Sequence, residues 1–219
     1  MLSYEQVKKS EAIKTYIIRA DESLAALGYT EHCFAHVVHV AEMAGDILKT
    51  MGYDDRTVEL AKIAGYLHDI GNLVNRVEHS QSGAVMAWSI LHDMGCDAGE
   101  LATIVTAIGN HDEGNGVPVN PVAAALILAD KADVRRSRVR NRDISTFDIH
   151  DRVNYSVIKS RLQINEEKTQ VILNLTVDHQ FGSIMDYFEI FMGRMLLCRK
   201  AAERLGLKFK LIINDQPLI

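Results

Sequence analysis

The stretch GYLHDIGN, residues 65–72, decides how the rest of the chain is read. It closes a very apolar run, AKIAGYL, so His68 and Asp69 arrive at the C-terminal end of a buried helix. A carboxylate at that end faces the negative pole of the helix dipole, which is unfavourable. A divalent cation offsets the cost and uses the adjacent imidazole as well. The plainer alternative is an exposed helix end with Asp69 in water, and Tyr66 and Leu67 argue against full exposure. Three more His-Asp dipeptides occur, at His92-Asp93, His111-Asp112 and His150-Asp151. His92 ends a helix, where an imidazole interacts well with the last carbonyls. His150 lies in the polar junction STFDIHDR, with no apolar frame to position it. Neither is read as a ligand. His111 follows the helical LATIVTAIGN and stays open, while Asp112 begins a loop.

Asp130 sits inside AALILADKAD after a mostly apolar run, so it projects from a buried helix. A buried carboxylate needs a cation, a donor network or a proton. Lys131 is its chain neighbour and is expected to point elsewhere, because adjacent helical residues do not face each other. His36 shares the apolar stripe of Val40, Ala44 and Ile47; His32 and His39 lie close to the same face, and spacing alone does not choose among the three. His79 stands at a helix start, before SQSGAVMAW. Taken alone, each of these histidines is as easily a cap, a surface residue or a satisfied core residue.

Around these positions the hydrophobic period is helical. Helices are expected over about 5–27, 31–50 with Thr30 as cap, from Asp55 or Thr57 to about Gly71, and over roughly 80–94, 97–109 and 121–136. Asn120-Pro121 makes a good start for the last of these. After the arginine cluster the pattern changes. VIKSRLQI and TQVILNLTV read as strands around a NEEK turn, an amphipathic helix covers about 183–205, and LKFKLII alternates again. The expected fold is mainly α: a helical body over residues 1–150 and a small α+β C-terminal extension, β-β-α-β, over 151–219. A two-stranded hairpin does not stand alone, so it packs on the long helix, on the body or on another subunit.

The bulk numbers bound the function. The 219 residues are 47% hydrophobic and 24% charged, enough for a sizeable core. Cys33, Cys96 and Cys198 are far apart, which suits a reducing cytoplasm and argues against a thiolate zinc site. No secretory or membrane-spanning segment is expected. A net charge of −5 gives no general attraction to nucleic acid or membrane. The exception, KADVRRSRVRNR at 131–142, reads as a solvated face paired with nearby acids rather than a nucleic-acid site, with part of it open to phosphate binding because arginine suits planar multidentate contacts.

The order His36, His68-Asp69, Asp130 resembles the HD superfamily of metal-dependent phosphohydrolases over roughly residues 28–137. HVVHVAEMA looks like the family's first-ligand helix and thereby selects His36; GYLHDIGN matches the defining motif, and ILADKADVR the terminal aspartate segment. EHSQSGA and AIGNHDEG resemble the segments that bring further histidines in the two-metal branches. The resemblance implies one metal at His36, His68, Asp69 and Asp130, and a second sharing Asp69 with His79 and His111. One or two divalent ions of Fe, Mn, Ni, Co or Zn suit such a set. It implies a phosphohydrolase, a phosphomonoesterase or phosphodiesterase, in which metal activates water against a nucleotide or small phosphate ester. His68 and Asp69 would sit at the chemistry, Lys131 and Arg135 would supply phosphate charge, and Asn72 and Arg76 would contact substrate. Asn72 stands where many members have lysine, and Asn110-His111 where cyclic-dinucleotide phosphodiesterases have paired histidines, which disfavours those substrates. The alternatives are a di-iron oxygenase using the same ligands, or a metal-stabilised sensory module. The extension lies outside the resemblance and offers a surface for a homo-oligomer.

Overall fold

The computed structural model describes residues 1–219. It opens with α1 (Tyr4–Lys9) and α2 (Glu11–Ala26), where the sequence predicts one continuous helix. Ser10 divides them. Its backbone is extended, and its hydroxyl caps α2 by accepting the Ile13 N–H. The next helix, α3 (Phe34–Met51), starts later than Thr30. Cys33 is its N-cap and makes no side-chain cap bond, while the Thr30 carbonyl accepts from His32 Nδ1 at 2.6 Å. Then come α4 (Asp55–Leu67), a short 3₁₀ turn at Ile70–Leu73, α5 (His79–Asp93), α6 (Ala98–Gly109) and α7 (Pro121–Ala132). Asp54, Asp97 and Asn120 cap α4, α6 and α7. The helix expected to reach residue 136 ends at Ala132 because Asp133 is taken over by other partners: its carbonyl by Arg138, its carboxylate by His36 and Arg135.

Two close approaches bring the elements into register. Gly65 of α4 lies against the backbone of α3, where a Cβ would sit 2.7 Å from Ala41 Cα. Gly71 lies under the start of α5, where a Cβ would meet the His79 carbonyl oxygen at 2.0 Å. At the centre runs α7, packed on α3, α4, α6 and the later helix α9 (Ile184–Arg204). Its residues Val122 to Ala129 are all buried, which is why they read as a continuous apolar run rather than a stripe.

The C-terminal part adds α8 (Ile149–Ser156), β1 (Val157–Ile164), β2 (Gln170–Val177), α9 (Ile184–Arg204), β3 (Lys208–Ile213) and a two-residue β4 (Gln216–Pro217). The strand order is β1-β2-β3-β4. β1 and β2 form the expected hairpin, with Leu162 opposite Leu173. β2 and β3 are parallel, with Leu173 beside Leu211, so a crossover is required and α9 supplies it. Val171, Leu173, Leu175 and Val177 turn inward together with Phe209, Leu211 and Ile213, and they join the same apolar cluster as Val37 and Leu126. The sheet therefore rests on the chain's own helices. No helix is long and apolar enough to cross a membrane.

Candidate metal centre

Four imidazoles and two carboxylates from five segments meet at one point. His36 comes from the first turn of α3, His68 and Asp69 from the end of α4, His79 from the first residue of α5, His111 from just past α6, and Asp130 from α7. His36 and His68 approach Nε2 to Nε2 at 3.2 Å. His79 and His111 do the same, also at 3.2 Å. Asp69 stands between the pairs. Its Oδ2 lies 3.5 Å from His36 Nε2 and 3.2 Å from His68 Nε2, and its Oδ1 lies 3.4 Å from His79 Nε2 and 4.0 Å from His111 Nε2. Asp130 Oδ1 closes the first group at 3.4 Å from His36 and 3.6 Å from His68.

The hydrogen bonds on the far side of each ring fix what these atoms offer. His68 Nδ1 donates to the Gly65 carbonyl at 2.8 Å, His79 Nδ1 to the Arg76 carbonyl at 3.1 Å, and His111 Nδ1 to the Ile108 carbonyl at 2.6 Å. His36 Nδ1 donates to Asp133 Oδ2 at 2.7 Å. Carbonyl and carboxylate oxygens accept only, so the ring proton of each neutral histidine is on Nδ1 and Nε2 presents a lone pair. Four nitrogen lone pairs and carboxylate oxygens thus converge in a buried space, and with the histidines neutral none of the six groups offers another a donor; Asn72, at Asp69 Oδ1, and Arg76, 3.4 Å from His79 Nε2, reach them from the rim. Acceptors do not face acceptors at this distance without a cation or a proton to hold them. Neutral imidazole nitrogen with carboxylate oxygen is the donor set of divalent transition ions, and the residues fit such an ion. They fall into two groups, His36-His68-Asp130 and His79-His111, with one oxygen of Asp69 turned to each.

Among the protein groups alone, protons take the place of the cation. Burial opposes charge on His68, but Asp69 and Asp130 outweigh it and hold its pKa up to about 10. His36 is raised against burial by Asp130, Asp133 and Asp69. Burial dominates at His79 and His111, which are pushed down and stay neutral. Both aspartates are held well below the usual carboxylate range despite burial, Asp69 by His68 and Asp130 by Lys131.

The centre opens into a cleft of about 500 Å³. Asp69, His79, His111 and Asp130 form its floor. Segment 27–32 makes one wall, α8 another, and Ile190, Phe191 and Arg194 of α9 a third. The cations expected from the sequence are placed differently. Lys131 does not point away from Asp130: it is buried, curls back to Asp130 Oδ2 at 2.8 Å and reaches Glu113 Oε2 at 2.6 Å. Its long stem makes this possible where a rigid neighbour would diverge. Arg135 is past the end of α7, bonds Asp133 Oδ1 at 2.7 Å, and is not part of the cleft wall. Arg76 is at the cleft, over the Tyr29 ring and 3.4 Å from His79 Nε2. Asn72 is buried behind Asp69, to whose carbonyl and Oδ1 it donates at 2.9 and 3.0 Å, so it steadies that side chain.

Several contributors carried no sequence signal of their own. Asp133 orients His36. Glu113 and Arg194 bond at 3.0 Å and extend the Asp130-Lys131 pair outward to α9. His150 and Asp151, set aside as an unframed junction, lie on α8 and line the cleft without joining the metal cluster. His32 is also in the cleft wall, and His39 is half-exposed on the far side of Asp133. His92 stacks on Trp88 at the surface.

The HD domain family model matches residues 33–152. That is more than half of the chain, and the chain belongs to the HD domain family. A Ribonuclease Y from Fervidobacterium nodosum is 31% identical over 122 residues, covering 54% of this chain but only 21% of that enzyme. An uncharacterized protein from Methanocaldococcus jannaschii is 25% identical over 189 residues, 75% of this chain and 72% of its own length. Among solved structures, one described as a "predicted HD superfamily hydrolase" from an uncultured Thermotogales bacterium is 27% identical, covers 57% of this chain and 67% of that chain, and has a TM-score of 0.45.

Proposed function

We propose that this HD-domain protein is a metal-dependent phosphohydrolase acting on a nucleotide or another small phosphate ester. The observation that carries the reading is the ring of inward lone pairs around Asp69, set at the floor of a polar cleft. His36, His68 and Asp130 would hold one divalent ion with Asp69 Oδ2, and His79 and His111 a second with Asp69 Oδ1. Bound there, such ions lower the pKa of water and neutralise phosphate oxygens. The protein's own share is positional. Asn72 keeps Asp69 from rotating, Asp133 and three backbone carbonyls keep the imidazoles aimed, and Arg76 supplies positive charge beside the His79 group. The Ribonuclease Y relatives support phosphoester hydrolysis as the reaction class by their name. Their substrate is not carried over, since most of their length has no counterpart in the match.

On this reading residues 1–150 carry the catalytic part and 151–219 a smaller unit that contributes most of the α8 wall and all of the α9 wall of the cleft. The free cysteines Cys33, Cys96 and Cys198 support a reducing cytoplasm as the working compartment.

The test is a hydrolysis panel of nucleotides and nitrophenyl phosphate mono- and diesters with added Mn, Fe, Co, Ni or Zn. Turnover that is lost on chelation, and lost in Asp69→Ala with unchanged helical circular dichroism, is expected. No turnover with any metal, or equal turnover in the variant, contradicts the proposal.

A further inference from the structure

The cations around the cleft differ in what already satisfies them. Lys131 is spent on Asp130 and Glu113, and Arg194 on Glu113. Arg135 is spent on Asp133. Arg138 is not. It is only 5% exposed, yet its two hydrogen bonds go to neutral backbone oxygens: Nε donates to the Glu31 carbonyl at 2.9 Å and Nη1 to the Asp133 carbonyl at 2.7 Å. Its nearest carboxylate oxygen, Asp133 Oδ2, is 3.7 Å away and already accepts from His36 and Arg135. Nη2 has no partner in the chain, and the residue lines the cleft. Burial accordingly pushes its pKa below the ordinary arginine value.

A buried guanidinium held by neutral acceptors is a charge only partly compensated, and that is costly. What such an arrangement gains is aim. Two anchors fix the plane of the fork, so its remaining N–H groups lose little freedom on meeting an oxyanion. The position matters too. Arg138 adjoins Asp133, which holds His36, whereas Arg76 lies 3.4 Å from His79 Nε2. The two guanidiniums therefore flank the two groups of ligands that Asp69 separates.

We propose that Arg138 is an oxyanion-binding residue of the cleft: it takes a phosphate oxygen of the substrate from the His36 side, as Arg76 does from the His79 side. This rests on the phosphohydrolase reading and singles out Arg138, within the arginine cluster 131–142, as a substrate contact. The probe is inorganic phosphate, titrated calorimetrically into the full chain loaded with manganese, with manganese stoichiometry and melting temperature measured on every sample. Arg138→Gln should weaken phosphate binding by about tenfold to a hundredfold, the range for loss of one charge-assisted hydrogen bond, while retaining its manganese. Equal phosphate affinity at equal manganese content overturns the assignment and leaves the hydrolase reading in place. Wild-type protein that neither binds phosphate nor turns over any ester overturns both. Should Arg138→Gln fail to fold, Arg138→Lys decides: it keeps the charge but not the fork. Weaker phosphate binding then supports the assignment, and unchanged binding overturns it.

Discussion

Asp133 Oδ2 accepts the Nδ1–H of His36 at 2.7 Å, across 97 residues of sequence. The bond settles which ring nitrogen of His36 faces the cluster. It also explains why α7 stops at Ala132, since continuing the helix would carry Asp133 off this position. Outer hydrogen bonds of this kind orient ligating histidines and raise their basicity. Asp133→Asn should therefore weaken divalent-metal affinity by about 10–100-fold without removing any ligand. Competition against a chelator of known affinity measures it. Affinity equal to wild type would show that His36 is held by packing alone.

Gly71 makes a different prediction, about the frame rather than the ligands. A methyl group there would lie 2.0 Å from the His79 carbonyl oxygen and 2.4 Å from the Gly83 nitrogen, both backbone atoms that cannot swing aside. Gly71→Ala should force α5 away from the Asp69 turn. A loss of about 1–3 kcal/mol in urea unfolding is expected from overpacking of this kind, with weaker metal binding because His79 begins α5. Wild-type stability would mean that the turn and α5 are less tightly joined than they stand.

The pH dependence has a definite sign. The pKa of His68 is raised from 6.5 to about 10, because Asp69 and Asp130 outweigh its burial. A raised folded-state pKa contributes stability that is complete below about 6.5 and is lost as pH climbs through about 10. Chelator-treated protein should therefore melt at progressively lower temperature between those limits. Divalent ions displace the same proton, so metal affinity should rise with pH over the same window. Melting curves and metal titrations at pH 6, 8 and 10 check both halves. A chelated protein that gains stability toward pH 10 contradicts the arrangement.

The sequence showed the frame more clearly than the connections across it. His68-Asp69 stood out because an apolar helix delivered it, and Asp130 because a carboxylate followed eight mostly apolar residues. The strands at 157–164 and 170–177 were legible from alternation alone. What stayed hidden depends on contacts distant in the chain. Arg138 looked like one of several surface arginines; it is buried because the segment after α7 folds back over Glu31. Lys131 was expected to diverge from Asp130 on helical geometry, which holds for the Cβ direction but not for the end of a four-carbon stem. Ser10 breaks the first helix although the apolar period runs through it, since a hydroxyl cap competes with continuation. The short helix at 149–156 is mostly polar, with Ile149 and Val153 as its only aliphatic residues, and Asp148 starts it by capping.

The most direct measurement is the number of divalent ions bound per chain, by elemental analysis after equilibration with manganese and desalting, in wild-type protein and in Asp69→Ala. If Asp69, whose two oxygens face the two histidine pairs, is shared as proposed, the wild type holds two ions and the variant loses tightly held metal at both positions. A wild-type chain that keeps one ion or none, or a variant that keeps as much as wild type, would contradict it.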